Sequence, residues 1–186
     1  YTHESYVDAT PTVGEALVGG NWKTVLVSGA GGGGQGVFAL DVTNPNAFNA
    51  SKVMWEFSDA DDVDVGNVLG RPQLLKMRTS APDAQTPTYK WFAVFASGVN
   101  SYSNENGDTR FAYGGTTTNN SGSADHSGDP VIFILDLSKP AGTAWELNEN
   151  YYKIALPNST SMAKGMIGFA AKGGRNGEVT QIYAGD

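Results

Sequence analysis

The sequence predicts an all-β fold of antiparallel blades, like those of a β-propeller. Three observations predict it. Twenty-four glycines in 186 residues, with abundant Asn, Thr and Ser, indicate frequent turns. Short runs of β-branched and apolar residues end at these turns, which is typical of strands. A set of four such runs then recurs along the chain, as it does in repeat architectures.

The first unit, which we place at residues 8–60, contains four predicted strands. The third ends at Asn44-Pro45, a turn signal, and the fourth ends at an acidic loop. The four strands are Thr10–Leu17, Lys23–Ala30, Gly36–Thr43 and Val53–Ser58.

The second unit, which we place at residues 70–157, repeats this pattern. Tyr89–Gly98 resembles Asn21–Gly29, which aligns Trp22 with Trp91 and Gly29 with Gly98. Residues 130–140 resemble residues 36–45, which aligns Asp41 with Asp136. The remaining predicted strands of this unit are residues 71–78 and 151–156, and a partial third unit spans residues 165–186.

The recurring units predict stacked sheets. The central runs VLV, FAVFA and VIFIL are almost wholly apolar, as expected of strands that are covered on both faces. Two and a half blades fall short of the roughly four that a propeller needs. Since Tyr1 opens in mid-pattern and Asp186 closes just after a strand, we expect this chain to be an incomplete piece of one propeller domain that spans residues 1–186 and continues elsewhere.

Composition excludes several classes of function. The formal charge is −7 and Lys and Arg are scattered, so we expect no nucleic-acid partner. No apolar run reaches the roughly 18 residues of a membrane span. The absence of cysteine excludes thiol catalysis and cysteine metal sites.

An insertion at residues 99–130 interrupts the second unit, where the first has only the short connection 31–35. It is polar and glycine-rich, but it carries Phe111 and Tyr113. One interpretation is a mobile surface loop, whose aromatic pair merely pins it to the blade. The other is a binding loop whose aromatic pair contacts a partner.

Candidate chemical sites have simple structural explanations. Asp59–Asp64 and Asn104–Asp108 lack the full spacing of a calcium loop, and we expect the former to be a solvated acidic turn. Gly29–Gly34 precedes neither a Gly-Lys-Ser/Thr motif nor a predicted helix, so we expect a flexible turn and no phosphate site. His3 and His126 have no supporting motif. We therefore predict no catalytic, cofactor-binding or metal-binding residues.

Six segments carry a family resemblance: GVFALDVTNP (36–45), WEFSDAD (55–61), GRPQLLKM (70–77), KWFAVFASGVNSY (90–102), IFILDLSKP (132–140) and IYAGD (182–186). Taken in order, they resemble the C-terminal propeller of the PilC/PilY family, large type IV pilus biogenesis proteins and tip-associated adhesins. The resemblance runs from about Val7 to Asp186, apart from the insertion. It implies a modified propeller related to that of quinoprotein dehydrogenases.

The same resemblance implies a role in pilus assembly, in opposing retraction and in adhesion. The implied partners are pilin or minor pilins of the type IV pilus and a host or surface receptor. The implied location is the pilus tip or outer-membrane surface, reached by secretion through the periplasm.

The family often carries a calcium loop of the form Asp-x-Asn-x-Asp-Gly-x-x-Asp just before the last of these segments. In this sequence Lys172, Gly174, Asn176 and Thr180 occupy its ligand positions. Only Asn176 suits calcium, so we expect no calcium here and leave calcium to other parts of the full-length protein.

Two alternatives remain open. A quinone-dependent periplasmic dehydrogenase would carry the motif Ala-x-Asp-x-x-x-Gly-x-x-x-Trp. Ala39-Leu-Asp41 begins that motif, but Pro45 and Asn49 stand where Gly and Trp belong. A carbohydrate-binding propeller would stack sugars on tryptophans, although blade packing is the simpler role for Trp22, Trp55, Trp91 and Trp145. We expect a non-catalytic protein without a cofactor.

Overall fold

The computed structural model describes residues 6–99, 117–118, 124–125, 130–155 and 166–184. The predictions made for Asn104–Asp108, for Phe111 and Tyr113, and for His3 and His126 lie outside the described residues.

The first sheet contains four antiparallel strands in the order β1-β2-β3-β4. The turn between β1 and β2 uses Gly19 and Gly20, which both have positive φ, as this tight hairpin requires. Short 3₁₀ turns connect the later strands, and each of the two turns after β3 is capped by an Asn side chain. The strands are β1 Thr12–Val18, β2 Asn21–Gly29, β3 Gly36–Asp41 and β4 Val53–Ser58.

The second sheet is also four-stranded and antiparallel. Its strands are β5 Gln73–Arg78, β6 Tyr89–Ala96, and, after the short pair β7 Thr117–Thr118 and β8 Ala124–Asp125, β9 Val131–Asp136 and β10 Tyr151–Ala155. Their order is β10-β9-β6-β5, while β7 and β8 pair only with each other.

A third, two-stranded sheet contains β11 Phe169–Gly173 and β12 Val179–Ala184. Helix among the described residues is limited to three 3₁₀ turns, and no helix there is long and apolar enough to cross a bilayer. The all-β antiparallel fold is confirmed. The unit boundaries at residues 8–60, 70–157 and 165–186 stay a prediction.

The pairing of strands corrects the alignment of the two units. In the first sheet Val25 lies opposite Asp41, and in the second Phe92 lies opposite Asp136. If Asp41 and Asp136 are equivalent, each residue of β2 corresponds to the residue of β6 that lies 67 positions later in the chain. The sequence comparison used a separation of 69 positions. The alignment of Trp22 with Trp91 was thus wrong by two residues. A two-residue slip keeps every side chain on its face of the strand, so the apolar pattern could not reveal it.

The corrected alignment makes Lys23 equivalent to Lys90. Each lysine forms an ion pair with the aspartate of its own sheet: Lys23 Nζ lies 3.1 Å from Asp41, and Lys90 Nζ lies 2.6 Å from Asp136. It also makes Gly31, rather than Gly29, the counterpart of Gly98. Both Gly31 and Gly98 have positive φ, at 69° and 83°.

The core lies between the sheets. Phe57 of the first sheet is fully buried, and its ring centroid lies 5.4 Å from that of Phe133 and 5.0 Å from that of Tyr151 in the second. The opposite face of the second sheet carries another cluster, where Phe92 and Val94 pack with Phe169 of the third sheet. The second sheet is therefore covered on both faces, as its continuous apolar runs predicted.

Candidate functional site

A buried charged cluster joins the segment between the first two sheets to strand β10. Asp62 and Asp64 are only 8% and 2% exposed, so the expected solvated turn at Asp59–Asp64 was wrong for these two residues. Lys153 Nζ lies 2.8 Å from Asp64 Oδ2 and 3.1 Å from the carboxylate of Asp62. The Tyr151 hydroxyl donates to Asp62 Oδ2 at 2.9 Å. Burial is tolerated because the carboxylates meet an ammonium and a hydroxyl donor.

The cluster shifts the ionisation of its members. Burial alone would lower the pKa of Lys153, but the carboxylates of Asp64 and Asp62 outweigh it and the net effect raises this pKa. Burial, followed by the neighbouring Asp62 charge, raises the pKa of Tyr151. The Lys153 ammonium thus occupies the position where a cation between the two carboxylates would lie. Among the described residues, no group of three or more His, Asp or Glu side chains is placed to hold a metal ion.

Sequence reasoning missed this cluster, because Lys153 lies about 90 residues from the two aspartates. The only local signal was a lysine among the apolar residues of a predicted strand. A lysine in that position calls for a partner of opposite charge, but it does not say which one.

The glycine-rich segment Gly29–Gly34 is anchored and does not form a free turn. The Gly32 N–H donates to the Asp8 carboxylate at 2.6 Å, and Asn67 Nδ2 donates to the carbonyls of Gly31 and Gly34 at 2.9 and 3.2 Å. An amide that could contact an external anion is therefore bound to the chain's own carboxylate. The absence of a phosphate site stays a prediction.

The four tryptophans divide between packing and surface roles. Trp55 is buried and packs edge-to-face against Trp145, with ring centroids 5.5 Å apart. Trp145 is fixed in turn, since its Nε1–H donates to the Glu56 carbonyl at 2.7 Å. Trp22 is 62% exposed and rests edge-to-face against Trp91 at 6.0 Å. Blade packing thus accounts for Trp55 and Trp145, while Trp22 presents a ring to solvent.

A groove of about 430 Å³ runs between the edge strands of the first two sheets, beside Trp91. Its walls are Thr12–Glu15 of β1 and residues 71–75 at the start of β5. Gly14 leaves this space open, because an added Cβ there would lie 3.2 Å from the Leu74 side chain. The groove contains one arginine, Arg71, whose Nε–H donates to the Thr12 hydroxyl at 3.0 Å.

The partial quinoprotein motif has a structural role in its own blade. Ala39 is fully buried, and the Asp41 carboxylate accepts hydrogen bonds from the Thr43 N–H at 3.1 Å and the Thr43 hydroxyl at 2.6 Å. Burial raises the pKa of Asp41, but the hydrogen bonds from Thr43 and the Lys23 ion pair outweigh it and lower the pKa to about 2. Asp41 therefore fixes the turn after β3, and the equivalent Asp136 accepts the Ser138 N–H at 2.8 Å.

The segment Lys172–Thr180, aligned above with a family calcium loop, forms the tight hairpin between β11 and β12. Gly177 has positive φ at the corner of this turn, a conformation that favours glycine.

Comparison with known proteins agrees with the fold. The family model of the PilY1 beta-propeller domain matches residues 1–149. The chain is 40% identical over 101 residues to a type IV pilus biogenesis factor PilY1 homolog of Xylella fastidiosa, covering 54% of this chain and 6% of that protein. It is 35% identical over 99 residues to the type IV pilus biogenesis factor PilY1 of Pseudomonas aeruginosa strain UCBPP-PA14, covering 53% of this chain and 8% of that protein.

A solved structure adds a match over most of the chain. The crystal structure of the Pseudomonas aeruginosa PilY1 C-terminal domain aligns with a TM-score of 0.63 and 25% identity, over 97% of this chain and 28% of that one. The chain thus spans less than a tenth of the curated relatives and under a third of the solved domain. The match over residues 1–149, which include the whole first sheet and most of the second, shows that the chain belongs to the PilY1 beta-propeller family.

Proposed function

We propose that this chain is a non-catalytic part of a type IV pilus-associated surface protein that promotes pilus biogenesis and adhesion. The observation that carries the proposal is the family match over residues 1–149, together with relatives named type IV pilus biogenesis factors. The proposed partners are pilin or minor pilins and a host or surface receptor. The proposed location is the pilus tip or outer-membrane surface, after passage through the periplasm.

A non-catalytic role is supported by how the chain uses its charged groups. The buried carboxylates of Asp62 and Asp64 bind Lys153, and that of Asp136 binds Lys90. These three carboxylates do not line the groove, and Glu15, which does line it, accepts the Thr24 hydroxyl at 2.7 Å. A catalytic acid or base has to reach a substrate from a pocket.

The proposal is tested by deleting residues 6–184 in frame from the protein that carries this chain, in a piliated strain. Surface pili are then counted by electron microscopy. We expect pilus number to fall well below that of the strain complemented with the intact gene. Immunoblotting of the truncated protein controls for its export and amount. Normal piliation by an exported, stable deletion protein would contradict the assembly role.

A retraction-deficient background separates two forms of the role. If the deletion lowers pilus number there as well, the chain acts in assembly. If piliation recovers there, the chain opposes retraction. Adhesion is measured separately as attachment per pilus, because attachment per cell falls whenever pili are lost.

A further inference from the structure

The hairpin Lys172–Thr180 does not fit the calcium ion that the family resemblance implies for it. Calcium takes six to eight oxygen ligands, with carboxylates prominent among them. The loop contains one carboxylate, that of Glu178, and it accepts the Asn176 N–H at 3.0 Å. Gly174 supplies no side chain, and Lys172 brings a positive charge to the first ligand position.

The turn satisfies its remaining polar groups internally. The Gly174 N–H donates to the Glu178 carbonyl at 2.6 Å, and the Gly177 N–H donates to the Gly174 carbonyl at 3.3 Å. The Thr180 hydroxyl donates to the Lys172 carbonyl at 3.2 Å. The turn is therefore closed by its own hydrogen bonds, in which the Glu178 carboxylate and the carbonyls of Lys172, Gly174 and Glu178 are the acceptors.

A lysine from the neighbouring sheet contacts the same turn. Lys76 Nζ, on β5, donates to the Asn176 carbonyl at 3.2 Å, and Lys76 and Glu178 form an isolated parallel bridge between their backbones. Lys76 is held in place on its own sheet by the Tyr89 ring, whose centroid lies 4.6 Å from the ammonium. A second contact joins the sheets nearby, where Gln73 Nε2 donates to the Phe169 carbonyl at 3.2 Å.

We infer that the Lys76 ammonium holds the β11–β12 hairpin on the second sheet, that the Glu178 carboxylate closes the turn that this ammonium contacts, and that the docking of the hairpin is independent of calcium. A bound ion stabilises a fold in proportion to the logarithm of its concentration above the dissociation constant. The Lys76 ammonium belongs to the chain itself, so its contribution to docking does not depend on the concentration of any ion. The third sheet should therefore stay docked whether calcium is present or removed.

Hydrogen–deuterium exchange of the full chain tests this directly, read over residues 169–184 with and without a calcium chelator. We expect the same uptake in millimolar calcium and in chelator. Lys76→Met should raise uptake in the hairpin several-fold, and Lys76→Arg should restore most of the protection. Lys172→Met is the matched control, since it removes an exposed lysine from the hairpin itself and should leave uptake unchanged.

Uptake by β2, in the first sheet, is the reference for global unfolding. If Lys76→Met raises uptake in β2 to the same extent, that variant unfolds globally. Protection of the hairpin in Lys76→Arg then tests whether a cation at position 76 is needed for docking. Calcium-dependent protection of the wild-type hairpin would overturn the inference, and so would a micromolar calorimetric site that Asn176→Ala removes. Unchanged hairpin uptake in Lys76→Met would overturn the role of the lysine.

A variant with the family's ligand pattern supplies the positive control. Lys172→Asp, Gly174→Asn, Asn176→Asp and Thr180→Asp together should create calcium-dependent protection that the wild type lacks. The Gly174 change is sterically feasible, because an added Cβ would meet the end of the flexible Glu178 side chain and the Thr180 methyl group, which the Thr180→Asp change removes. If this variant does not bind calcium, the residues at these four positions do not explain why the wild-type hairpin fits no calcium ion. The readout is the hairpin itself, so the outcome is independent of the proposed pilus role.

Discussion

Lys153 shows how one buried cation can tie a connecting segment to a sheet. Its ammonium lies between the carboxylates of Asp62 and Asp64, which belong to the link between the first two sheets. Removing one partner of a buried ion pair leaves an uncompensated charge, which is usually more costly than the loss of the pair as a whole.

We predict that Lys153→Met lowers the free energy of unfolding by about 3 kcal/mol. Adding Asp62→Asn and Asp64→Asn to that variant should recover part of the loss, because the unpaired charges are then gone. Lys90→Met is the comparison: the Lys90 side chain is 51% exposed, and the buried Asp136 keeps the Ser138 N–H as a donor, so the loss should be smaller, at about 1 kcal/mol. Urea denaturation measures all three values, and equal losses for Lys153 and Lys90 would contradict the prediction.

The raised pKa of Lys153 also determines the pH range over which this lysine contributes to stability. A raised pKa contributes stability that is fully present below the unfolded value of about 10.4 and is lost as pH rises through the folded value. The stability difference between the wild type and Lys153→Met should therefore be constant between pH 6 and 9 and should shrink only in more alkaline solution.

Asp41 has the opposite dependence. Its pKa of about 2 in the folded chain lies below the unfolded value of about 3.9, so its contribution is present above pH 4 and is lost as pH falls toward 2. Asp41→Asn should cost about 1 kcal/mol at pH 7, a figure that allows for solvent screening. Denaturation of both proteins from pH 7 to pH 2 measures the difference. If the stability difference between the wild type and Asp41→Asn persists at pH 2, it comes from the shape of the side chain and not from its charge.

At the scale of the element, the end of β6 depends on a glycine. Gly98 has φ of 83°, and an added Cβ would overlap the Asn67 carbonyl oxygen. We predict that Gly98→Ala lowers the free energy of unfolding by about 3 kcal/mol, through backbone strain and overlap together. Gly142→Ala is the control, because it has φ of 76° in open space and should cost only about 1 kcal/mol. Equal losses of unfolding free energy for Gly98→Ala and Gly142→Ala, measured by thermal or urea unfolding, would contradict the role of the overlap.

The insertion between β6 and β9 begins and ends at paired positions of the second sheet, Ser97 and Val131. The Ser97 N–H donates to the Val131 carbonyl at 2.8 Å, and the Val131 N–H donates to the Ser97 hydroxyl at 3.1 Å. The insertion's described strands β7 and β8 pair only with each other, so removing them breaks no pairing in the second sheet.

Replacing Ser103–Ser127 with a short Gly-Ser linker should therefore change the free energy of unfolding by less than about 1 kcal/mol. Adhesion or pilus number should nevertheless fall, if the aromatic pair Phe111 and Tyr113 contacts a partner. Unfolding of the variant would show a structural loop, and normal adhesion and piliation would show that the partner surface lies elsewhere.

For the whole molecule, the quinone-dependent alternative gives a test of activity. Asp41 is engaged by Thr43 and Lys23, and Pro45 and Asn49 replace the Gly and Trp of the quinoprotein motif. We predict that the purified full-length protein carries no quinone chromophore and reduces no dye when quinone is added. An absorbance spectrum and a dye-reduction assay measure this. A quinone that co-purifies in stoichiometric amount would contradict a non-catalytic role.

The sequence alone was enough to predict the fold class and the strands of the three larger units, but not the short pair β7 and β8. The strand predicted at Val53–Ser58 is β4 to the residue, and the others differ by a few residues at their ends. Local pattern suffices here, because turn residues and apolar runs act on neighbouring positions in the chain. The family resemblance likewise depended on segments that are each contiguous in sequence.

Only the tertiary structure decided the register of the repeat and the partners of the buried charges. A slip of two residues keeps the same face of a strand, so only the pairing of β6 with β9 showed that Lys90, and not Phe92, is the counterpart of Lys23. The pairing of Lys153 with Asp62 and Asp64, and of Lys76 with Asn176, joins residues that are about 90 or 100 positions apart. Such contacts follow from how whole sheets stack, and no periodicity within one segment encodes which segment will cover it.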